Sequence, residues 1–423
     1  MSSEHALRQM ERLLVQLHEL IDADQTDSDE AETIRDRMDE LSGSLEGSQV
    51  QVVNDLSGDL YMLTGEEVVP EAMRGLPPEA VRAEVAAAFQ GKHWPELLRA
   101  LRGPHQLRKD RAAYARARAY SCLGFHLAAL KFFEHAYALT PNPHYLALAL
   151  DEHMASDMVD TAQSLVQAIE DNPKAHPTLA LKAALVLLGL SRRRPEEERG
   201  EVDKRVGDLI ERAKGDPRWP ESVPSLRAAG LVALAFGLAR AGRFTDAESA
   251  LDAAIGISPS SDAALVARGL VRLDAGRSDA AYEDFNQAVQ LGTKAVAPYF
   301  FLTHRAVTAG DFKVAAALAS IGANLASPSP MRAKLFEWWA IALAEMGHAT
   351  SSVLALFDAA EAEDPFDPVI QANAARYRSH VSALSAPAMW QPSQLPSGGA
   401  VLKTYSRELN PRSLMGQPAV AVQ

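Results

Sequence analysis

The sequence predicts an all-α protein, an α-solenoid of stacked helical hairpins with an acidic helical segment before the array and a disordered tail after it. Three observations point there. Alanine and leucine dominate, aromatics make up only 6%, and β-branched residues are seldom bunched, which favours helix over sheet. At 423 residues the chain is too long for one compact core. Landmark residues also recur at a fixed period: Gly242, Gly276 and Gly310 are 34 apart, and Ala247, Ala281 and Ala315 each follow their glycine by five.

The first segment, residues 1–66, carries two apolar seams. Leu7, Met10, Leu14, Leu17 and Ile21 step by three and four, as do Ile34, Met38, Leu41 and Leu45, with Asp22 to Asp29 between them. That is an acidic helical hairpin with heptad-like spacing. Two roles fit it: packing against the next helix (Val53, Leu56, Leu60, Leu63) so as to cap the array, or joining subunits through residues 5–46. The formal charge of -13 belongs here, since residues 1–75 hold 18 acidic and 5 basic side chains while the remainder balances at 37 against 37. Asp22, Asp24, Asp27 and Asp29 lack the glycine and glutamate of a calcium loop. Residues 67–109 read as a Pro-containing linker and a divergent hairpin of two short helices, Pro78 to Gln90 and Trp94 to Leu101.

The array is expected over residues 110–380, about seven hairpins of which two are degenerate. In Leu226 to Pro259 one apolar stripe runs through Leu231, Leu234, Ala235 and Leu238, the turn is Ala241-Gly242-Arg243, and the second stripe is Ala247, Leu251, Ala254 and Ile255. Gly242 supplies the left-handed residue that ends the first helix, and Pro259 ends the second. Gly124 and Gly242 differ by 118, three repeat lengths plus sixteen. Two degenerate hairpins therefore belong between them, His144 to Pro173 (Ala162, Val166, Ile169) and Pro177 to Pro217 (Leu181 to Leu190, then Val206, Leu209, Ile210, Ala213), with the extra length in Ser191 to Lys204.

These columns resemble the tetratricopeptide repeat, which keeps a small residue and an aromatic in its first helix, an alanine and a large apolar residue in its second, and a closing proline. Ala117, Tyr120, Gly124, Ala129, Phe133, Ala136 and Pro141 match throughout. Gly269, Gly276, Ala281, Phe285 and Ala288 give a second copy, with Arg272 in place of the aromatic. Gly310, Ala315, Ala319, Gly322 and Pro328 give a third, and Ala340, Leu343, Gly347, Leu356 and Ala359 a further one. The resemblance implies hairpins stacked through small residues, a concave face lined by first helices, and protein binding as the function.

After about Leu384 the chain turns to Pro, Ser, Gly and Gln, so residues 381–423 read as a flexible tail. Within it Val401-Leu402-Lys403-Thr404-Tyr405 and Leu409 form a short motif able to dock into the protein's own groove.

No catalytic class is indicated. Phosphate loops, G-x-S-x-G and H-E-x-x-H are all missing. His126, His135, His144 and His153 recur every nine residues, about two and a half helical turns, and Pro141 and Pro143 interrupt them. No metal or cofactor is expected. Cys122 stands alone and fits ordinary packing in a reducing, cytoplasmic setting. No secretory leader is evident in Met1 to Arg12, no basic face suits nucleic acid, and the longest apolar runs, Leu179 to Leu190 and Ala228 to Ala239, fall short of the roughly 20 residues that span a bilayer.

The expected function is a non-catalytic scaffold or adaptor that holds a peptide or helix of another protein in the concave groove. The alternative is a structural protein self-assembling through its N-terminal helices. Groove candidates, projected away from the packing stripe of each first helix, are Tyr114, Arg118, Val232, Phe236, Arg240, Leu270, Phe300, His304 and Trp338. Val232, Phe236, Val266, Leu270, Phe300 and His304 stand where a carboxylate clamp for an acidic C-terminus would need lysines and asparagines. An apolar groove for a helix or extended peptide fits better.

Overall fold

The computed structural model describes residues 3–64, 75–156, 162–383, 390–391, 395, 400–405, 409 and 414, and all regular structure among them is helical. The chain divides into two compact units, Met1–Val186 and Leu187–Gln423. Within each, helical hairpins stack as in an α-solenoid.

The first unit holds α1 (Ser3–Asp22), α2 (Asp29–Ser42), α3 (Gly47–Tyr61), α4 (Pro78–Gly91), α5 (Trp94–Ala100), α6 (Lys109–Cys122), α7 (His126–Leu139), α8 (Pro143–Ser156), α9 (Gln163–Glu170) and most of α10 (Pro177–Arg193). Local signals start these helices where the sequence says. Ser28 caps α2 by accepting from the Ala31 amide at 3.2 Å, followed by Asp29, Glu30 and Glu32 in a first turn that favours negative charge. Glu46 and Gln49 form a reciprocal capping box on α3.

The seam of α1 is spent inside the chain. Ala6, Met10, Leu13 and Leu14 share one core with Leu56 and Leu60 of α3 and with Phe125 and Phe132 of the first full repeat. Polar groups fix the same contact. Glu11, 4% exposed, accepts from the Leu127 and Ala128 amides at 2.9 and 3.2 Å and so caps α7 from another helix. Arg8 donates to the Gly124 carbonyl and lies over the Phe125 ring at 5.0 Å. Gly124 has φ +81°, which favours glycine at this turn, and the Arg8 guanidinium lies over its open side. Behind it, fully buried Asp59 of α3 accepts from Arg102 Nε and Nη2 at 2.8 and 2.9 Å and from the Tyr120 hydroxyl. The carboxylate keeps Arg102 charged, with its pKa raised above the ordinary guanidinium range despite burial.

The second unit begins within α10 and continues through α11 (Glu196–Gly215), α12 (Pro224–Arg240), α13 (Phe244–Ile257), α14 (Asp262–Asp274), α15 (Ser278–Gln290), α16 (Val296–Ala309), α17 (Phe312–Leu325), α18 (Pro330–Glu345), α19 (Thr350–Glu363), α20 (Pro368–Ala383) and α21 (Ala400–Tyr405). Helices α12/α13, α14/α15, α16/α17 and α18/α19 form successive hairpins. Their turns carry Gly242, Gly276, Gly310 and Gly347, all with φ between +71° and +75°.

Small residues sit at the helix crossings, as the repeat requires. A Cβ on Gly269 would stand 2.4 Å from the Phe285 ring, so the α14–α15 crossing is set by that ring lying on bare backbone. Arg272 in the aromatic column is explained by charge. Its guanidinium reaches Asp284 Oδ2 at 2.8 Å and Glu248 Oε1 at 2.5 Å, while Arg268 pairs with Asp284 and Asp252, so ion pairs join α13, α14 and α15.

One expectation needs correction. Among the described tail residues, Ala400–Tyr405 is helical and packs against α14, and Val401, Leu402, Tyr405, Leu409 and Leu414 are buried. The physical reason is that these few apolar side chains find an apolar face waiting on the hairpins.

Candidate functional site

The first helices of the successive hairpins in the second unit are α12, α14, α16 and α18. A 34-residue period returns the same helical position to each, so Val232, Val266 and Phe300 form one row and Phe236, Leu270 and His304 the next. Phe300 stands 4.8 Å from Trp338, ring centre to ring centre, and His304 stands 5.2 Å from the same indole. An aromatic cluster therefore joins α16 to α18.

Tail residues pack on several helices of this unit. Trp390 stacks on Phe357 and Tyr377 at 6.0 and 6.3 Å and donates its indole N–H to Glu345 Oε1, at the end of α18, at 2.5 Å. Buried Asn373 of α20 holds the backbone of Gln391 from both sides. Its Oδ1 accepts from the Gln391 amide at 2.8 Å, and its Nδ2 donates to the Gln391 carbonyl at 3.2 Å. The same Nδ2 donates to Glu337 at 2.7 Å, and Glu337, pushed up in pKa by burial, is steadied by Lys334. Tyr405 then lies against Phe300 and Phe301, with ring centres 5.3 and 4.8 Å apart. Asp274, the last residue of α14, caps α21 by accepting from the Val401 and Leu402 amides at 3.1 and 2.8 Å. Arg192, at the end of α10, donates to the Leu409 carbonyl. Burial and the nearby Arg240 cation pull its pKa down to about 10.

The candidates read from the sequence separate into four groups. Phe300, His304 and Trp338 come together, with Tyr405 beside them. Val232, Phe236 and Leu270 lie on the corresponding helices but are 1% exposed or less, so they are packing residues in this state rather than open anchors. Arg240 is taken up by Asp203 of α11 at 2.6 Å. Tyr114 and Arg118 lie in the other unit. Tyr114 is enclosed by Phe89, Phe133, His144 and Tyr145, and Arg118 is half-buried within electrostatic reach of Asp151. The expectation of exposed aromatics is therefore corrected for Phe236, Phe300 and Trp338, because side-chain projection on a single helix cannot see what covers it.

Asp274, Asn373 and Arg192 were missed. Asp274 had a signal, since it stands 34 residues after Arg240 in the same register. Asn373 and Arg192 lie outside the regular repeats, where no register reaches them.

A cleft of about 1240 Å³ opens between α11 and the α12–α13 hairpin, with Leu402 at its rim. Arg192, Arg199, Lys204, Lys214, Arg240 and Arg243 are offset there by Glu196, Asp203, Asp208, Glu211, Asp246 and Asp274, so it selects for neither charge. Among the described residues no three His, Cys, Asp or Glu side chains converge as metal ligands. His126 instead pairs with Glu152 at 2.7 Å and His153 lies 3.5 Å from Glu134. Among the same residues no helix is long and apolar enough to cross a membrane.

The hairpin geometry, with one left-handed glycine per turn and a small-residue crossing, is that of a tetratricopeptide-like α-solenoid fold. No protein-family model matches the chain, and no curated protein matches it in sequence. Among solved structures it is similar to TTC0263, a thermophilic TPR protein of Thermus thermophilus, with 17% identity over 64% of this chain and 99% of that one and a TM-score of 0.24. It is similar also to yeast Tom70, with 12% identity over 71% and 80% and a TM-score of 0.27. The TPR domain of P58(IPK) gives 12% identity over 67% and 73%, with a TM-score of 0.25.

Proposed function

We propose that this chain is a non-catalytic scaffold whose second unit holds a peptide or short helix of another protein along the inner face of its first helices. The observation that supports this most is the double hydrogen bond of Asn373 to the Gln391 backbone. A buried side chain amide that grips one residue's N–H and C=O recognises extended peptide whatever its sequence. The aromatic cluster of Phe300, His304 and Trp338 adds a place for an apolar anchor. The partition into residues 1–66, 67–109, 110–380 and 381–423 belongs to the same proposal, with the array as the binding part. So does a cytoplasmic site of action, which the single Cys122 favours, without nucleic acid as partner. Self-assembly through residues 5–46 has less support, because Met10, Leu14, Ile34 and Leu41 are already buried within the first unit.

The test uses the full chain with a photo-crosslinking residue at His304 or, as control, at exposed Val314 on α17. A protein partner is expected to crosslink at His304 and not at Val314. Equal labelling at both, or labelling at Val314 alone, overturns the groove assignment.

A further inference from the structure

The tail's contacts have the form of a bound ligand rather than of one more repeat. Five anchors, Trp390, Gln391, Val401 with Leu402, Tyr405 and Leu409, touch helices α20, α18, α14, α16 and the end of α10. Between the anchors the sequence is Pro392-Ser393-Gln394-Leu395-Pro396-Ser397-Gly398-Gly399, which has one large apolar side chain to offset its ordering. Repeats of this chain bury a continuous stripe, whereas the described tail residues bury a few side chains and hold their backbone to Asp274, Asn373 and Arg192. Those three groups supply what a peptide needs: a cap for a helix start, a clamp for an extended residue, and a donor for a late carbonyl.

We propose that the described tail residues Trp390, Gln391, 400–405 and Leu409 are a tethered competitor of the groove, and that the partner segment they hold off shares their chemistry. It carries an aromatic residue at an extended start, then a short helix opening on two adjacent aliphatic residues with an aromatic three positions later, as in Val401-Leu402-Lys403-Thr404-Tyr405. This inference rests on the groove reading above and gives it a ligand class and a control. Aliphatic residues at the helix start are required because Asp274 accepts from their amides while their side chains are enclosed. An acidic residue there would set a second carboxylate beside Asp274, so a partner with Asp or Glu at either position is rejected.

The probe is a fluorescent synthetic peptide with the sequence of residues 388–410, titrated into the full-length chain and into full-length Leu402→Asp/Tyr405→Ala, in which the tethered tail has lost its anchors. A tether of this length gives an effective concentration on the order of 1 mM. For a peptide with Kd of about 10 μM, the wild-type chain is then expected to bind roughly 100-fold more weakly than the released variant. A peptide carrying the same two substitutions is expected to bind neither chain. Equal binding of the unsubstituted peptide to both chains overturns the competition, and failure to bind either overturns the tail as a ligand. Neither result touches the His304 crosslinking, which judges the groove separately. Thermal melts of both chains control for folding. A second measurement does not depend on the variant: adding excess peptide to the wild-type chain is expected to speed hydrogen exchange at the native Val401 and Leu402 amides, and unchanged protection counts against displacement. Concentration-dependent dimers of the wild-type chain would mean that the tail sits in a second copy, and would overturn occupancy within one chain.

Discussion

Glu11 shows how one side chain can serve two structures at the cost of its own charge. Enclosed between α1 and α7, it is pushed from the ordinary glutamate value up to about 7, chiefly by desolvation, with the Ala128 and Leu127 amides and Arg8 opposing. A carboxyl whose pKa is raised on folding contributes stability that is fully present below its unfolded value of about 4.5 and is lost as pH rises through about 7. At about 1.4 kcal/mol per unit, the loss amounts to about 3 kcal/mol between pH 5 and 8.5. Glu11→Gln keeps an oxygen for the α7 amides and does not titrate. Urea unfolding of the two chains should therefore find the wild type losing ground to the variant across that range, and a constant difference would refute the assignment. Phe236 makes the opposite point. Because it is fully buried, Phe236→Ala should cost about 3–5 kcal/mol of stability, and a loss of binding in that variant would not report on the groove.

Among elements, the hairpin is the unit that sequence spacing specifies, and its two kinds of glycine are separable by substitution. Gly276 meets nothing on its open side but has φ +74°, so Gly276→Ala should cost about 1 kcal/mol through backbone strain. Gly269 is helical, and a Cβ there would stand 2.4 Å from the Phe285 ring. Gly269→Ala should cost about 1–3 kcal/mol, because the ring has to leave its position against α14. Near-ultraviolet circular dichroism should move for Gly269→Ala and stay unchanged for Gly276→Ala, and denaturant melts give the two magnitudes. The opposite pattern would mean that the crossing is looser than the contact distance requires. The N-terminal hairpin obeys a different logic. Its 3-4 spacing announced an apolar seam without naming the surface that fills it, and Phe125 and Phe132 of the first full repeat turned out to share its core.

At the scale of the whole molecule, each unit has its own buried core, and solenoid stability is close to a sum of repeat and nearest-neighbour terms. Asp59 lies in the first unit and is the common acceptor for Arg102 and Tyr120. Asp59→Ala leaves the buried Tyr120 hydroxyl without its acceptor and Arg102 with only Asp55, at 2.8 Å, and should cost about 2–3 kcal/mol. Hydrogen exchange should accelerate mainly within α3, α5, α6 and α7, with much smaller changes from α12 to α19. Uniform acceleration along the chain would show that the two units unfold together.

The sequence alone determined the all-α class, the 34-residue hairpin and the glycine turns at Gly242, Gly276 and Gly310, because these follow from neighbours three, four or thirty-four residues away. It also named Phe300, His304 and Trp338 as candidates, and the three rings lie close together. Tertiary structure alone decided that Glu11 caps α7 across more than a hundred residues, that an ion-pair cluster stands in for the aromatic at Arg272, and that Tyr405 rests on Phe300 and Phe301. A helix's periodicity fixes which side chains share a face, but what covers that face is a distant segment, and no local spacing encodes it.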